Sequence, residues 1–312
     1  MNAFAIRYLL AFAILPAALL AVGCGTATNA PAAKPTIYVD SYPLAYFAER
    51  LAGDSATVVF PAPAEVDPAH WTPSDEILRG YQNADLVLLS GSHYATWTSR
   101  ASLPPKQVVD TTAGFPAGSL VESENAIVHS HGDEGEHSHA AYALHTWLDP
   151  KLAQLQAAAV KDAVEKQLPK EKGHIHDRYG ELLTDLRDLE ARLEKAKPDT
   201  GGRTFLASHP VYDYLSHAAG WEMQSLHWKP HEMPSEKEWG RLDAIREKTG
   251  ARWMLWEDEP IDPIRKALKE RSIHWIVVRP AGNRPAEGDF ISVMRANYDG
   301  MTEIAESLHP IP

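Results

Sequence analysis

Residues 175–198 read "IHDRYGELLTDLRDLEARLEKAKP" and carry the longest helical pattern in the chain. The apolar residues of this stretch recur at offsets of three, four and seven, and they are Ile175, Tyr179, Leu182, Leu183, Leu186, Leu189 and Leu193. Pro198, followed by Gly201 and Gly202, ends the pattern. A helix of roughly 24 residues would be about 36 Å long. We therefore predict a stiff linking helix over residues 174–198, which favours small local motions over wide hinge closure.

Short β-branched runs alternate with helical patterns on both sides of this stretch. Before it the runs are "TIYVD" (36–40), "ATVVF" (56–60), "DLVLL" (85–89) and "QVVD" (107–110). After it they are "TFLAS" (204–208), "EMQSL" (222–226), "RWMLW" (252–256) and "HWIVV" (274–278). This alternation predicts mainly parallel sheets flanked by helices. We predict an α/β fold with two lobes, residues 36–173 and 199–312, joined by the linking helix.

The N-terminus resembles an export signal. The apolar run at residues 8–22 is short for a membrane span and fits the central region of a signal peptide. It ends in "LLAVGCG", where Cys24, the only cysteine, resembles the lipidated residue of a bacterial lipobox. Cleavage near Ala30 without lipidation is the alternative. We predict a signal peptide at 1–23, a tether at 24–35, and a lipid anchor in the periplasm or on the outer face of the cytoplasmic membrane.

Composition and charge restrict the class of partner. The chain has 312 residues, a formal net charge of -12 and a sequence pI near 5.7. Nucleic-acid binding relies on Lys and Arg to neutralise phosphates, so this charge argues against such a partner. One cysteine leaves no internal disulfide. We predict a globular monomer that binds no nucleic acid and favours cationic ligands.

Four residues of metal-binding type occupy comparable positions in the predicted lobes. His209 directly follows the run "TFLAS", and His70 lies in the loop after "ATVVF". His145 precedes a predicted helix, and Asp289 stands at the start of the last one. In open α/β sheets, ligands bind at the carboxyl ends of the strands. Taken singly, such residues are commonly loop histidines or helix caps, so their sequence context decides their role.

Two of these histidines stand just before predicted helix starts. After His70, Thr72 and Pro73 can serve as N-cap and first residue of a helix. After His145, Asp149 and Pro150 can serve in the same way. Both histidines are therefore predicted to lie on short connections next to rigid elements.

Four motifs carry a resemblance to a known family. They are "DPAHWTPSDEIL", "LHTWLDP", "SHPVYDYLSHAAGW" and "EGDFISVMRANYDGM". In this order and spacing they resemble the metal-binding lipoproteins of bacterial ABC importers for zinc and manganese, the cluster 9 or A-I solute-binding proteins. The resemblance runs from about residue 36 to 308. It implies one metal in a cleft between two lobes, bound by His70, His145, His209 and Asp289.

The chain departs from this family pattern in its second lobe. Many zinc-binding members carry a cysteine pair there, and this chain has none. "WEDEPIDP", residues 256–263, resembles a stretch in which relatives carry an acid. Glu257 is therefore an alternative fourth ligand, although the position in the motif favours Asp289.

Three imidazoles and one carboxylate favour zinc. Zn²⁺ accepts His nitrogen and Asp oxygen in tetrahedral geometry, whereas Mn²⁺ prefers sets richer in oxygen. Manganese-importing relatives tend to place a carboxylate at the third position, where this chain has His209. We predict Zn²⁺ as the ligand, with a manganese receptor of the same family as the alternative.

A second metal-binding region is suggested by "HSHGDEGEHSH" at residues 129–139, with His129, His131, His137 and His139. We expect no regular structure there. Ordering five residues costs roughly 5–10 kcal/mol of backbone entropy, against about 10–16 kcal/mol for zinc at a good structural site. We therefore expect micromolar or weaker accessory sites that gather or sense zinc, with nanomolar binding in the cleft. The alternative is a solvated linker.

These features predict a non-catalytic receptor that delivers Zn²⁺ to the ABC permease of a zinc importer. A zinc hydrolase is an alternative, because three histidines and an exchangeable position can activate water. A fourth protein ligand and the lack of a general-base motif argue against it. An adhesin or zinc-storage protein that uses the His-rich loop is a third hypothesis.

Overall fold

The computed structural model describes residues 33–91, 93–123, 129–130, 136–137, 142–197 and 203–308. The predicted signal peptide, Cys24 and most of the tether therefore lie outside the described residues. The same holds for His131 and His139 of the His-rich loop. Residues from Lys34 onward belong to one compact unit.

The first lobe contains a four-stranded parallel sheet with helices packed on it. In chain order its elements are β1 (Thr36–Val39), α1 (Tyr42–Ala52), β2 (Thr57–Val59), α2 (Asp75–Asn83), β3 (Leu86–Leu89) and β4 (Val108–Asp110). The strand order is β2-β1-β3-β4. In register, Ile37 of β1 pairs with Val58 on one side and Leu86 on the other. Each strand lies within a β-branched run identified in the sequence, so the prediction for this lobe is confirmed.

Part of the His-rich loop pairs with itself. β5 (His129–Ser130) and β6 (Glu136–His137) are antiparallel, with His129 opposite His137. The expectation of no regular structure is wrong for these four residues. Gly132 and Gly135, in the sequence between the two strands, are residues that favour chain reversal.

The linking helix predicted from the sequence is present. After α3 (Pro150–Gln167), helix α4 spans Lys172–Ala196, two residues earlier at each end than predicted. Its buried face contains Ile175, Leu182, Leu186, Leu189 and Leu193. These residues belong to the apolar stripe that predicted the helix.

The second lobe repeats the architecture of the first. Its elements are β7 (Thr204–Ala207), α5 (Asp213–Ala219), β8 (Glu222–Ser225), α6 (Glu236–Thr249), β9 (Trp253–Trp256), α7 (Asp262–Glu270), β10 (His274–Val277) and α8 (Phe290–Leu308). The parallel sheet has the order β10-β9-β7-β8. Counted within each lobe, both sheets have the order second, first, third, fourth. The two-lobed α/β fold is thus confirmed, while the residue boundaries assigned to the lobes stay predictions.

Of the two helix starts predicted near the candidate site, one is confirmed and the other is wrong. Pro150 begins α3, and Asp149 caps it by accepting a hydrogen bond from the Lys151 amide at 2.8 Å, as predicted. The prediction for α2 is wrong, because its N-cap is Ser74 rather than Thr72. The acids Asp75 and Glu76 that follow Ser74 favour this start, since negative charge is stabilised in the first turn of a helix.

Helix α4 is fixed to both lobes by apolar packing and ion pairs. One continuous apolar core includes residues of both sheets, among them Ile37 of β1 and Leu255 of β9. Asp185 of α4 accepts hydrogen bonds from Arg50 of α1 at 2.6 Å and from Arg295 of α8 at 3.0 Å. These contacts support a stiff connection between the lobes. Among the described helices, none is both long and apolar enough to span a membrane.

Candidate metal centre

His145 is the most deeply buried of the candidate ligands. It lies just before the short helical turn that leads into α3, and its exposed fraction is 7%. The rings of Tyr94 and Trp147 contact it edge to face, with centroids 5.7 and 5.3 Å away. Burial lowers the pKa of His145 to about 4; Asp67 opposes this shift, and positive charge on neighbouring histidines adds to it. At neutral pH the imidazole is therefore uncharged, which is the form that binds metals.

His209 and Glu257 meet because their strands are neighbours. His209 follows β7 by two residues and Glu257 directly follows β9, and these parallel strands are paired. His209 Nδ1 lies 3.5 Å from Glu257 Oε1, too long for a well-formed hydrogen bond. This buried nitrogen has no hydrogen-bond partner among the described residues. Burial lowers the pKa of His209, and the nearby His227 ring, 5.9 Å away between centroids, lowers it further.

Glu257 is a carboxyl group in an unfavourable place for negative charge. Burial raises the pKa of Glu257 to about 7, and the charge of Asp67 contributes to this increase. The Glu257 side chain is thus partly protonated at neutral pH. A cation bound beside it would favour its ionised form.

His70 approaches the other histidines from an exposed loop. Its side chain is 55% exposed, and Nε2 lies 3.9 Å from Asp67 Oδ2. The loop turns tightly here, because the Ala69 amide donates to Asp67 Oδ1 at 2.9 Å. Positive charge on His70 lowers the pKa of both His145 and His209, and Asp67 acts on the same two rings with the opposite sign. Histidines from both lobes therefore share one electrostatic neighbourhood with Asp67.

Asp289 makes its hydrogen bonds with Ser292 and Tyr46. It caps α8 by accepting a hydrogen bond from the Ser292 amide at 2.8 Å, and its Oδ2 accepts another from the Tyr46 hydroxyl at 3.2 Å. Burial raises the pKa of Asp289, but the hydrogen bonds from Ser292 and Tyr46 outweigh burial and leave it below the ordinary value. The carboxylate is ionised and contacts Tyr46, and no ion pair with a histidine is found for it among the described residues.

Of the candidate ligands that the structure describes, only His209 and Glu257 form an ion pair within 4 Å of each other. Within the described ranges, no three His, Cys, Asp or Glu side chains are arranged to hold one ion. The direct pairs are His209 with Glu257 and His70 with Asp67. The described side chains are therefore not arranged as a closed site for one ion.

Two neighbours of the histidines were not identified from the sequence. Asp67 stands three residues before His70, a spacing that places an acid beside a histidine in a tight loop. Tyr94 is 1% exposed, and its hydroxyl has no hydrogen-bond partner in the described part of the chain. Tyr94 lies in the loop after β3, and the pairing of β3 with β1 and β4 cannot be predicted from the local sequence.

Two α/β lobes joined by a long helix, with histidines of both lobes in one neighbourhood, define the class of two-lobed solute-binding proteins. Residues 37–304 match the family described as zinc-uptake complex component A, periplasmic. The chain belongs to that family. This assignment confirms the resemblance inferred from the motifs, and the family is described as a component of zinc uptake rather than as an enzyme. The hydrolase alternative is set aside, and a manganese receptor is not favoured.

Two relatives show the extent of this similarity. The zinc-binding lipoprotein AdcA of Streptococcus pneumoniae R6 is 23% identical over 307 residues, covering 94% of this chain and 60% of AdcA. This chain therefore spans less than two thirds of that relative. The high-affinity zinc uptake system protein ZnuA of Bacillus subtilis is 26% identical over 263 residues, covering 79% of this chain and 80% of ZnuA.

Solved structures confirm the fold class. The metal-dependent lipoprotein YcdH from Bacillus subtilis superposes with a TM-score of 0.71 at 20% identity, covering 86% of this chain and 99% of that chain. The Zn(II)-bound ZnuA-like domain of Streptococcus pneumoniae AdcA gives 0.72 at 18% identity, covering 88% and 99%. At these identities the likeness concerns the fold.

Proposed function

We propose that the protein is an extracytoplasmic receptor that binds Zn²⁺ and delivers it to the permease of an ABC importer. The observation that carries the proposal is the electrostatic neighbourhood shared by His70 and His145 of the first lobe and His209 of the second. Membership of the zinc-uptake family supports the same function.

The protonation states of this neighbourhood suit a divalent cation. The lowered pKa values of His145 and His209 keep two imidazoles neutral, so no proton has to be displaced from them at neutral pH. Asp67 supplies negative charge to the same volume. Three nitrogen donors with one carboxylate favour zinc over manganese.

We assign the fourth ligand to Asp289, with Glu257 as the alternative. The hydrogen bonds to Asp289 keep it ionised, whereas Glu257 must lose a proton before it can bind a metal. Glu257 is nevertheless closer to the histidines, with its carboxyl oxygen 3.5 Å from His209 Nδ1. In the assignment to Asp289, Glu257 orients the His209 ring through Nδ1 and leaves Nε2 for the metal. A carboxylate behind a ligating histidine is a common arrangement in metal sites.

Capture is proposed to draw the ligands together over a short distance. The ion pairs of Asp185 with Arg50 and Arg295 fix α4 to α1 and α8, so the lobes resist a wide swing. Binding of the ion is therefore proposed to move side chains and loops rather than whole lobes. The exposed His70 is the ligand that can move most. Release to the permease would require displacement of one or two of these ligands.

The remaining parts of the proposal concern the membrane and the His-rich loop. Cys24 is proposed to carry the lipid anchor, and residues 24–35 to tether the lobes to it. His129 and His137, which pair across the β5–β6 ladder, are proposed to form part of a weak accessory site. A loop site that must be ordered on binding is weaker than a site on a fixed scaffold.

An equilibrium zinc titration of the full protein and of a variant lacking residues 129–139 tests this division. We expect one tight site in both proteins, and additional weak sites in the full protein alone. Zinc uptake by cells that carry the variant should continue at a zinc supply above the dissociation constant of the tight site. If the deletion abolishes the tight site or stops uptake, the loop is the primary site and the proposal fails.

A further inference from the structure

One segment of the second lobe crosses to the first lobe beside the candidate site. This cross-lobe segment, Pro280–Arg284, follows β10. The Pro280 carbonyl accepts a hydrogen bond from Trp147 Nε1 at 2.7 Å, and the Gly282 carbonyl accepts one from the Tyr42 amide at 2.9 Å. Its main chain is therefore fixed against elements that flank His145.

The backbone at Gly282 runs very close to the candidate ligands. A Cβ atom at this position would lie 2.8 Å from the Tyr94 hydroxyl and 3.9 Å from His145 Nε2. The absence of a side chain is what allows this approach. The cross-lobe segment thus borders the metal-binding nitrogen of His145 on one side.

Its next residue, Asn283, contacts the loop that carries His70. Asn283 Nδ2 donates to three backbone carbonyls of this loop, those of Pro63 at 2.7 Å, Ala64 at 3.3 Å and Val66 at 2.8 Å. We call residues 61–71 the His70 loop. An amide nitrogen carries two hydrogens, so three carbonyl contacts use all its donor capacity.

The His70 loop has few other attachments. Near its end, the Ala69 carbonyl accepts a hydrogen bond from the Thr96 amide at 3.1 Å. At its start, Pro63 and Ala64 are exposed. Because the His70 side chain is itself largely exposed, packing does little to fix it. Burial of Ala69 and its hydrogen bond from Thr96 hold the end of this loop, and Asn283 holds its start.

We propose that Asn283 is a positioning residue that holds the His70 loop of the first lobe at zinc-binding distance from the second. The inference rests on the proposed zinc-receptor function. Asn283 does not contact the ion; it limits how far His70 can move away, and so it slows zinc release.

The contact between Asn283 and the three carbonyls depends on one atom, the amide nitrogen Nδ2, so a substitution that replaces this nitrogen tests the proposal. Asn283→Asp keeps the shape of the side chain but replaces the amide donor by an acceptor that faces three carbonyl oxygens. The loop should then detach at its start. Asn283→Ala removes the donor without adding repulsion and serves as the milder variant.

Zinc dissociation constants and dissociation rates of the full protein test this inference. For Asn283→Asp we expect binding about tenfold weaker, mainly through faster dissociation, and a smaller change of the same sign for Asn283→Ala. Gln82→Glu is the matched control: the Gln82 amide donates to the Ser102 carbonyl at 3.0 Å, and neither residue belongs to the His70 loop. This control should leave zinc binding unchanged.

A second readout separates positioning from general destabilisation. In a His70→Ala background, Asn283→Asp should cause no further loss of affinity, because the residue through which it acts is gone. Amide hydrogen exchange of residues 62–71 should accelerate in Asn283→Asp without zinc, while exchange in α4 stays unchanged.

Unchanged zinc dissociation and unchanged exchange in Asn283→Asp would overturn the inference. An equal loss of affinity with and without His70 would also overturn it, since the effect would then not pass through the loop. Failure of the unaltered protein to bind zinc would instead refute the proposed function. In that case the exchange measurement still decides whether Asn283 holds the loop.

Discussion

The two lobes share a strand order, yet they fill the crevice at the ends of their first and third strands differently. In the first lobe, Asp40 follows β1 and Ser90 follows β3. Ser90 donates to the Asp40 carboxylate from its amide at 3.0 Å and from its hydroxyl at 2.8 Å. In the second lobe the equivalent strand ends carry His209 and Glu257, where His209 Nδ1 and the Ser208 hydroxyl have no hydrogen-bond partner among the described residues.

The two crevices therefore differ in whether their buried polar groups are paired with one another. Polar groups buried in the first crevice satisfy one another, as buried polar groups in folded proteins generally do. The second crevice keeps donors and acceptors free at the position where α/β sheets bind ligands. The first lobe supplies its histidines from loops instead.

The first crevice still supports His145 indirectly. Gln156, fully buried on α3, donates to the Thr111 hydroxyl at 3.0 Å and accepts from the Thr146 hydroxyl at 3.0 Å. Thr146 is the residue after His145. These hydrogen bonds fix the backbone next to the candidate ligand His145.

The largest expected effect is the loss of tight zinc binding in His145→Ala. Four ligands share a binding free energy of about 10–16 kcal/mol at a good site, so removal of one should weaken binding by about 100- to 1,000-fold. A competition titration against a chelator of known affinity measures it. His174→Ala is the control, since His174 is exposed and pairs with Glu171 at 3.1 Å. A loss below about tenfold in His145→Ala would remove this residue from the site.

The next effect distinguishes the two carboxylates. Asp289→Asn should weaken zinc binding by about 100-fold, because an amide oxygen is a poor substitute for a charged ligand. Glu257→Gln should weaken it by about tenfold, as expected for a group that orients a ligand. Zinc dissociation constants at a fixed pH provide the comparison. The reverse ranking would make Glu257 the fourth ligand and Asp289 only the helix cap.

A substitution in the crevice of the first lobe, where Asp40 and Ser90 pair, should lower the stability of the protein rather than its affinity for zinc. Asp40→Asn places an amide donor against the Ser90 amide and should lower the free energy of unfolding by about 1–3 kcal/mol. The zinc dissociation constant should stay within about threefold of that of the unaltered protein. Chemical denaturation and zinc titration measure the two quantities, with the exposed Asp54→Asn as control. If Asp40→Asn strongly weakened zinc binding and left the free energy of unfolding unchanged, the first crevice would not be purely structural.

The smallest expected effect is on the pH dependence of the free energy of unfolding of the zinc-free protein, to which His145 and Asp40 should contribute with opposite signs. Burial lowers the pKa of His145 from 6.5 to about 4, so its contribution to stability is present above 6.5 and is lost as pH falls towards 4. Burial raises the pKa of Asp40 from 3.8 to about 7, so its contribution is present at acid pH and is lost as pH rises through about 7. Unfolding free energies between pH 4 and 8 for His145→Gln and Asp40→Asn, each compared with the unaltered protein, should show opposite slopes. Parallel slopes would contradict the assigned protonation states.

Local sequence signals predicted the fold well. All eight candidate strands identified in the sequence contain a strand, and the helix predicted over residues 174–198 differs from α4 by two residues at each end. These features depend on side-chain periodicity over a few residues, which a single sequence displays. The start of α2 was misplaced, because Ser74 competes with Thr72 as a cap and the first-turn acids decide between them.

The arrangement of the site depends on contacts between residues distant in sequence. The approach of Glu257 to His209 follows from the pairing of β9 with β7, and strand order is not visible in local patterns. The hydrogen bond from Tyr46 to Asp289 joins residues 243 positions apart. The contact of Asn283 with the His70 loop also joins residues more than 200 positions apart. The sequence therefore indicated candidate ligands, and the fold determines which of them are neighbours.

The central claim is that His70, His145, His209 and one carboxylate bind a single zinc ion between the lobes. A crystal structure of the zinc-loaded protein, with anomalous data at the zinc absorption edge, tests it most directly. We expect one dominant peak with the three imidazole nitrogens and one carboxylate oxygen at about 2.0–2.2 Å. A dominant peak on the His-rich loop, or a zinc ion in the cleft that lacks the three histidines, would contradict the claim.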